Sequence, residues 1–116
     1  MRPPILHGAT PQLQTPCGHL YATLNSTEEG NLYEVFLNLG KAGGCVGAHM
    51  EALGRVISIA LQNGVDPKRF ADTLLGSNCH QSNEDTYSCI NAFAHQLKDY
   101  IELQEQKKLV EKEVVK

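Results

Sequence analysis

The residues of this 116-residue sequence that are best suited to chemistry are its four cysteines. They are spread widely along the chain and include no C-x-x-C pair, so their spacing alone is a weak signal. Four thiolates can enclose a tetrahedral Zn²⁺ ion, and two can exchange disulfide bonds with another protein. The simpler alternative is that some of them are small buried side chains. The candidate metal ligands are Cys17, Cys45, Cys79 and Cys89.

Each cysteine lies at the end of a predicted element, where the backbone can bend to aim a side chain. Cys17 lies in a Pro-Cys-Gly turn before a strand, and Cys45 opens a helix after a glycine-rich stretch. Cys79 follows the second predicted helix, and Cys89 opens the third, with Ser88 as its N-cap. The helix dipole favours an anion at Cys45 and Cys89, and the thiolate is the form that binds a metal.

Residues beside the cysteines are candidates for supporting such a site. His80 follows Cys79 in a polar loop, where it could replace a ligand or hydrogen-bond to a metal-bound sulfur. Gly43 and Gly44 precede Cys45 and would let the backbone approach it closely. The same glycine-rich stretch lacks the G-x-x-x-x-G-K-[ST] pattern, so we do not expect a phosphate-binding loop.

Hydrophobic periodicity predicts strands followed by helices. Residues 19–25 and 33–39 alternate apolar and polar side chains, as strands with one buried face do, and residues 13–15 are a third candidate strand. From residue 46 the period becomes helical, and two further helices follow. This order predicts an α+β fold, with a small antiparallel sheet of about three strands followed by three helices packed on one face. The first helix is expected to bury Val46, Met50, Leu53, Ile57, Ala60 and Leu61.

The chain length predicts one domain, with a segment of different character at each end. Residues 1–12 contain proline and glycine with little periodicity, and are expected to form an extended N-terminal arm. Residues 13–103 are expected to form the domain. Residues 104–116 are rich in Gln, Glu and Lys, and are predicted to be a charged tail, either helical or frayed.

Composition narrows the classes of function and the compartment. The formal net charge is -3 and no cluster of Lys and Arg is present, so direct nucleic-acid binding is not expected. No apolar run is long enough to cross a bilayer, and the first residues do not resemble a signal peptide. We therefore expect a cytoplasmic protein without membrane contact. Structural disulfides are rare in that compartment, which favours reduced, metal-bound or redox-active cysteines.

Several segments resemble a known family, the TSCPD domain. They read TPCGHLYAT at residues 15–23, EVFLNLGKAGGC at residues 34–45 and EALGR at residues 51–55. The likeness extends over roughly residues 2–101, and the family pattern has cysteines at all four positions found here. In the motif that gives the family its name, this sequence reads YSCIN, with Ile90 in place of Pro and Asn91 in place of Asp. The resemblance therefore favours a site shared by the four cysteines.

The resemblance also implies a biological setting. The TSCPD domain is found at the C-terminus of adenosylcobalamin-dependent ribonucleotide reductases, and free-standing members exist. The chain would then be an accessory domain in DNA precursor synthesis, with a reductase catalytic chain as its partner; a homo-oligomer is left open. The radical chemistry belongs to a large barrel, so we expect this chain neither to be catalytic alone nor to bind cobalamin alone. Our first hypothesis is a structural zinc site on the four thiolates.

Three other functions remain open at this point. Cys79 and Cys89 could form a redox pair that shuttles electrons by thiol–disulfide exchange to a reductase active site. The cysteines could instead hold an iron–sulfur cluster, or the fold could bind another small ligand. Finally, the fold could be reused as a protein-binding module, with the tail from Gln104 as its contact surface.

Overall fold

The computed structural model describes residues 2–16, 18–40, 44–77 and 88–115. The side chains of residues 110–115 are outside this description. In the described residues, four strands precede three helices, which confirms the predicted α+β class. The elements are β1 (His7–Ala9), β2 (Gln12–Thr15), β3 (Gly18–Ser26), β4 (Leu32–Leu39), α1 (Gly44–Gln62), α2 (Pro67–Leu74) and α3 (Cys89–Val115).

Strand β3 is the centre of the sheet and pairs antiparallel with each of the other three strands. It pairs with β2 from residue 18 to residue 21, with β1 from residue 24 to residue 26, and with β4 from residue 20 to residue 26. A strand has only two edges, so β1 and β2 share the edge opposite β4. The sheet of the described residues has four strands instead of about three because β1, which is short and exposed, carries no hydrophobic alternation.

The core lies between one face of the sheet and the helices. The alternation predicted for β3 and β4 is confirmed, since every second residue is buried and the intervening ones mostly face outward. On α1, Val46 is a wrong prediction, because 42% of it is exposed in the first helical turn. The core residues from the two long strands and from α1 and α3 are Leu20, Ala22, Leu24, Val35, Leu37, Leu39, Met50, Ile57, Leu61, Cys89, Phe93 and Leu97.

Helix α1 packs closely against β4. A Cβ atom added to Gly54 would lie 3.1 Å from the carbonyl oxygen of Val35 and 3.2 Å from the amide nitrogen of Leu37, so a larger residue would push the helix away. One turn later, the buried Ser58 hydroxyl accepts a hydrogen bond from the Val35 amide at 2.9 Å. The helix therefore satisfies a backbone donor on a strand edge that would otherwise be open to pairing.

Replacing Ser58 with alanine is expected to lower the free energy of unfolding by about 1–3 kcal/mol, because the buried amide of Val35 loses its acceptor. Chemical denaturation at neutral pH measures this change. The control is Thr73→Ala on the exposed side of α2, which should stay within about 0.5 kcal/mol of the wild type. Equal stability of the two variants would contradict the role given to Ser58.

The ends of the helices follow the sequence signals. Gly64 adopts a positive φ of 90° just after α1, and the Asp66 carboxylate caps α2 by accepting a hydrogen bond from the Lys68 amide. Helix α3 continues past residue 103 to Val115, and Lys108 donates a hydrogen bond to Asn31 in the β3–β4 turn.

In the part of the chain that the structure describes, no helix has both the length and the apolar character needed to cross a membrane.

The first residues of the chain are tied to the outward face of the sheet. Arg2 donates hydrogen bonds to both carboxylate oxygens of Glu34, at 3.2 and 2.9 Å, and Asn25 donates a further bond at 2.9 Å. The Glu34 side chain is only 6% exposed. The hydrogen bond from Arg2 lowers the pKa of Glu34; burial opposes this effect, and the bond from Asn25 adds to it.

A lowered folded-state pKa means that Glu34 contributes stability above the ordinary glutamate pKa of about 4.3. That contribution is lost as the pH falls from that value through the folded-state pKa. We therefore expect Glu34→Gln to reduce the loss of stability on acidification between about pH 5 and pH 3. Urea unfolding across this range tests the prediction, with Glu29→Gln on the exposed β3–β4 turn as control. Identical pH profiles for Glu34→Gln and the wild type would refute it.

Candidate thiol site

The structure describes two of the four predicted cysteine ligands, Cys45 and Cys89, both as free thiols. Cys17, Cys79, His80 and Gly43 lie outside the described residues. Gly44 is the first residue of α1. The geometry of the candidate site therefore rests on Cys45, on Cys89 and on the described residues that flank the other positions.

Cys89 is the buried one of the two described cysteines. It is the first residue of α3 and is 5% exposed. Its sulfur lies 3.2 Å from the hydroxyl oxygen of Thr15, which ends β2 and is 3% exposed. The Thr15 hydroxyl also donates a hydrogen bond to the carbonyl oxygen of Gly18 at 2.8 Å. Since a hydroxyl carries one proton, the Cys89 thiol is the donor in its contact with Thr15.

The same contact fixes both residues that flank the Pro16–Cys17 dipeptide. Thr15 and Gly18 are register partners at the end of the β2–β3 hairpin, in addition to their side-chain hydrogen bond. The described chain on both sides of Cys17 is thus held next to the start of α3.

Two polar side chains at the start of α3 anchor the ends of the segment that carries Cys79. The Ser88 hydroxyl accepts a hydrogen bond from the Asn91 amide at 3.1 Å, which confirms Ser88 as the N-cap of α3, and it donates to the carbonyl of Ser77. The side-chain oxygen of Asn91 accepts a hydrogen bond from the Gly76 amide at 2.8 Å. An Asp at position 91 could accept the same bond, so Asn91 preserves its acceptor role.

Cys45 lies at the same end of the sheet but is exposed. It is in the first turn of α1, and the connection to α1 leaves β4 at Gly40. The Gly40 amide donates a hydrogen bond of 2.7 Å to the carbonyl of His19, the residue after Gly18. The β4–α1 connection therefore starts beside the β2–β3 turn.

Metal-ligating side chains do not gather at any place in the described parts of the chain. Within residues 2–16, 18–40, 44–77 and 88–115, no three His, Cys, Asp or Glu side chains lie close enough to hold a metal ion. Two of the four predicted ligands lie outside these ranges, so the four-cysteine site stays a prediction.

Sequence reasoning missed the main contact of this site. Thr15 and Cys89 are 74 positions apart, and nothing in either local pattern links them. The only local signal was the position of Thr15, directly before the Pro-Cys-Gly turn. In the sequence, Asn91 is visible only as a departure from a family motif. In the structure, its side chain accepts a hydrogen bond from Gly76, on the other side of the segment 78–87.

Comparison with known proteins identifies one family. The chain is similar to the family model described as the TSCPD domain, which matches residues 2–101. No curated protein and no solved structure matches the chain. The match covers all four cysteines, the Thr15–Cys89 contact and the polar anchors of the segment 78–87.

Proposed function

Since the chain belongs to the TSCPD domain family and is a ribonucleotide-reductase-related domain, we propose that it is an accessory module whose four cysteines hold a structural zinc ion. The ligands in this proposal are Cys17, Cys45, Cys79 and Cys89. The partner is a reductase catalytic chain, which would supply the radical chemistry and bind the cobalamin and the nucleotide.

The observation that carries this proposal is the position of Cys89 between two anchored segments. Cys17 is bonded directly to Gly18, whose carbonyl shares the Thr15 hydroxyl with the Cys89 sulfur. Cys79 is two residues after Ser77, a span of at most about 7 Å, and the Ser77 carbonyl is bonded to Ser88. The described neighbours of these two cysteines, Gly18 and Ser77, therefore lie near the start of α3, which supports a site shared with Cys89.

The chemistry of the four side chains fits a zinc ion. Thiolates are the preferred ligands of structural zinc, and four of them close a tetrahedral site without an open position for substrate. The ion would supply a crosslink between the β2–β3 turn, the start of α1 and the start of α3. Such a crosslink would tie together the chain connections at this end of the domain, where the exposed Cys45 and the buried Cys89 lie.

Metal content and thiol reactivity of the same native sample test the proposal together. We expect about one zinc per chain, and thiols that react with an aromatic disulfide reagent only after chelation. Metal-free protein with four freely reacting thiols and an unchanged melting transition would refute it. Brown, iron-containing protein after anaerobic purification would support the iron–sulfur alternative instead.

A thiol shuttle is the second candidate, because Cys79 and Cys89 follow the two anchored ends of one segment. In this reaction the pair is oxidised to a disulfide while a disulfide of the reductase is reduced to two thiols. The burial of Cys89 places this function second, since a partner disulfide cannot reach a sulfur that is 5% exposed without a rearrangement. Loss of dithiol-dependent reductase turnover in Cys79→Ser, with zinc content unchanged, would reverse this order.

A further inference from the structure

We infer that Thr15 is a positioning residue for the Cys89 sulfur, and that its hydroxyl changes hydrogen-bond acceptor when this sulfur binds a metal. The effect on metal affinity rests on the proposed zinc site, whereas the hydrogen bond itself does not. The observation is the 3.2 Å contact between the Thr15 hydroxyl and the Cys89 sulfur, between two residues that are each at least 95% buried.

The direction of the hydrogen bonds follows from the number of protons. The carbonyl of Gly18 can only accept, so the hydroxyl proton of Thr15 points to it in the metal-free protein. The Cys89 thiol proton then points to the Thr15 oxygen. The result is a chain of two hydrogen bonds that runs from Cys89 at the start of α3 to the carbonyl of Gly18, the residue after Cys17.

Metal binding reverses the first of these bonds. When a sulfur–metal bond forms at Cys89, the S–H bond breaks and its proton leaves to solvent. The sulfur is then only an acceptor, and the Thr15 hydroxyl is the donor placed to serve it. When the Thr15 hydroxyl turns toward the sulfur, it no longer donates to the Gly18 carbonyl. Metal binding at Cys89 is therefore coupled to the backbone at Gly18, the residue after Cys17.

The setting of Thr15 suits this role. Its branched side chain has few rotamers, and its backbone is held by the register pair with Gly18. Because the contact is buried, little water competes for the sulfur. Hydrogen-bonding groups around metal ligands typically change metal affinity by about 10- to 100-fold when removed.

The first test measures the hydrogen bond without any metal. In the full chain carrying Cys17→Ser, Cys45→Ser and Cys79→Ser, Cys89 is the only source of the infrared S–H stretch. We expect this band at a lower frequency in the chain that keeps Thr15 than in the chain with Thr15→Val. In the chain with Thr15→Ser, the frequency should return toward the value found with Thr15. Circular dichroism verifies that each variant is folded. A band that does not move between Thr15 and Thr15→Val overturns the inference.

The second test measures metal affinity, in the chain with all four cysteines, by competition with a chromophoric chelator. We expect Thr15→Val to weaken zinc binding about 10- to 100-fold and Thr15→Ser to recover most of it. Equal zinc affinity in Thr15→Val and the wild type overturns the positioning role. If the wild type takes up no zinc, the proposed function fails, and the infrared result still decides whether Thr15 holds the sulfur.

Discussion

Replacing Cys89 with serine is expected to leave the purified protein without zinc and to lower its melting temperature strongly. Serine has nearly the same shape as cysteine and can keep the hydrogen bond to Thr15, so the local packing changes little. A neutral hydroxyl does not replace a thiolate as a zinc ligand, and a site with three thiolates no longer encloses the ion. In the proposed zinc-bound form, the stability lost is that supplied by the metal, about 4 kcal/mol when free zinc exceeds the dissociation constant a thousandfold.

Elemental analysis and thermal unfolding, each with and without a chelator, measure this effect. A chelator should bring the wild type close to the Cys89→Ser variant and should not change the variant further. His49→Ala on the exposed side of α1 is the control, and it should retain zinc and its chelator response. A Cys89→Ser protein that still contains one zinc per chain would contradict the four-cysteine site.

The same measurement assigns the remaining ligands. Cys45→Ser should also lose zinc, although Cys45 is exposed and Cys89 is buried. If Cys45→Ser retains the metal while His80→Ala loses it, the histidine is the fourth ligand. Parallel loss in all four cysteine variants, with zinc kept in His80→Ala, identifies the complete set.

The sequence predicted the sheet well wherever burial is one-sided. Leu20, Ala22 and Leu24 alternate with outward-facing residues because one face of β3 covers the core and the other does not. Strand β1 was missed because none of its three residues is buried, so pairing with β3 leaves no hydrophobic pattern. Val46 was misplaced because helical periodicity does not show where along a helix the core ends.

The site was predictable in its residue types and not in its contacts. Cysteines at the ends of elements and the N-cap role of Ser88 are local features, which a sequence shows directly. The contact between Thr15 and Cys89 joins the end of β2 to the start of α3, and it depends on how the sheet and the helix pack. Local pattern carries no information on such a contact.

The packing that holds α3 against the sheet can be tested at Phe93, the largest fully buried side chain in the described part of the chain. It lies one helical turn after Cys89 and belongs to the same core cluster as Leu24 and Leu37. Phe93→Ala removes most of a side chain that has no exposed surface, and leaves a cavity that the sheet and the helices can only partly fill.

We expect Phe93→Ala to lower the free energy of unfolding by about 3–5 kcal/mol. Phe36→Ala is the matched control, since Phe36 is 44% exposed on the outward face of β4 and its removal leaves no closed cavity. Urea unfolding of both variants in the presence of a chelator separates packing from any contribution of bound metal. Similar losses for the two variants would contradict the core described here. A large loss for Phe93→Ala alone would show that packing in the core holds the start of α3.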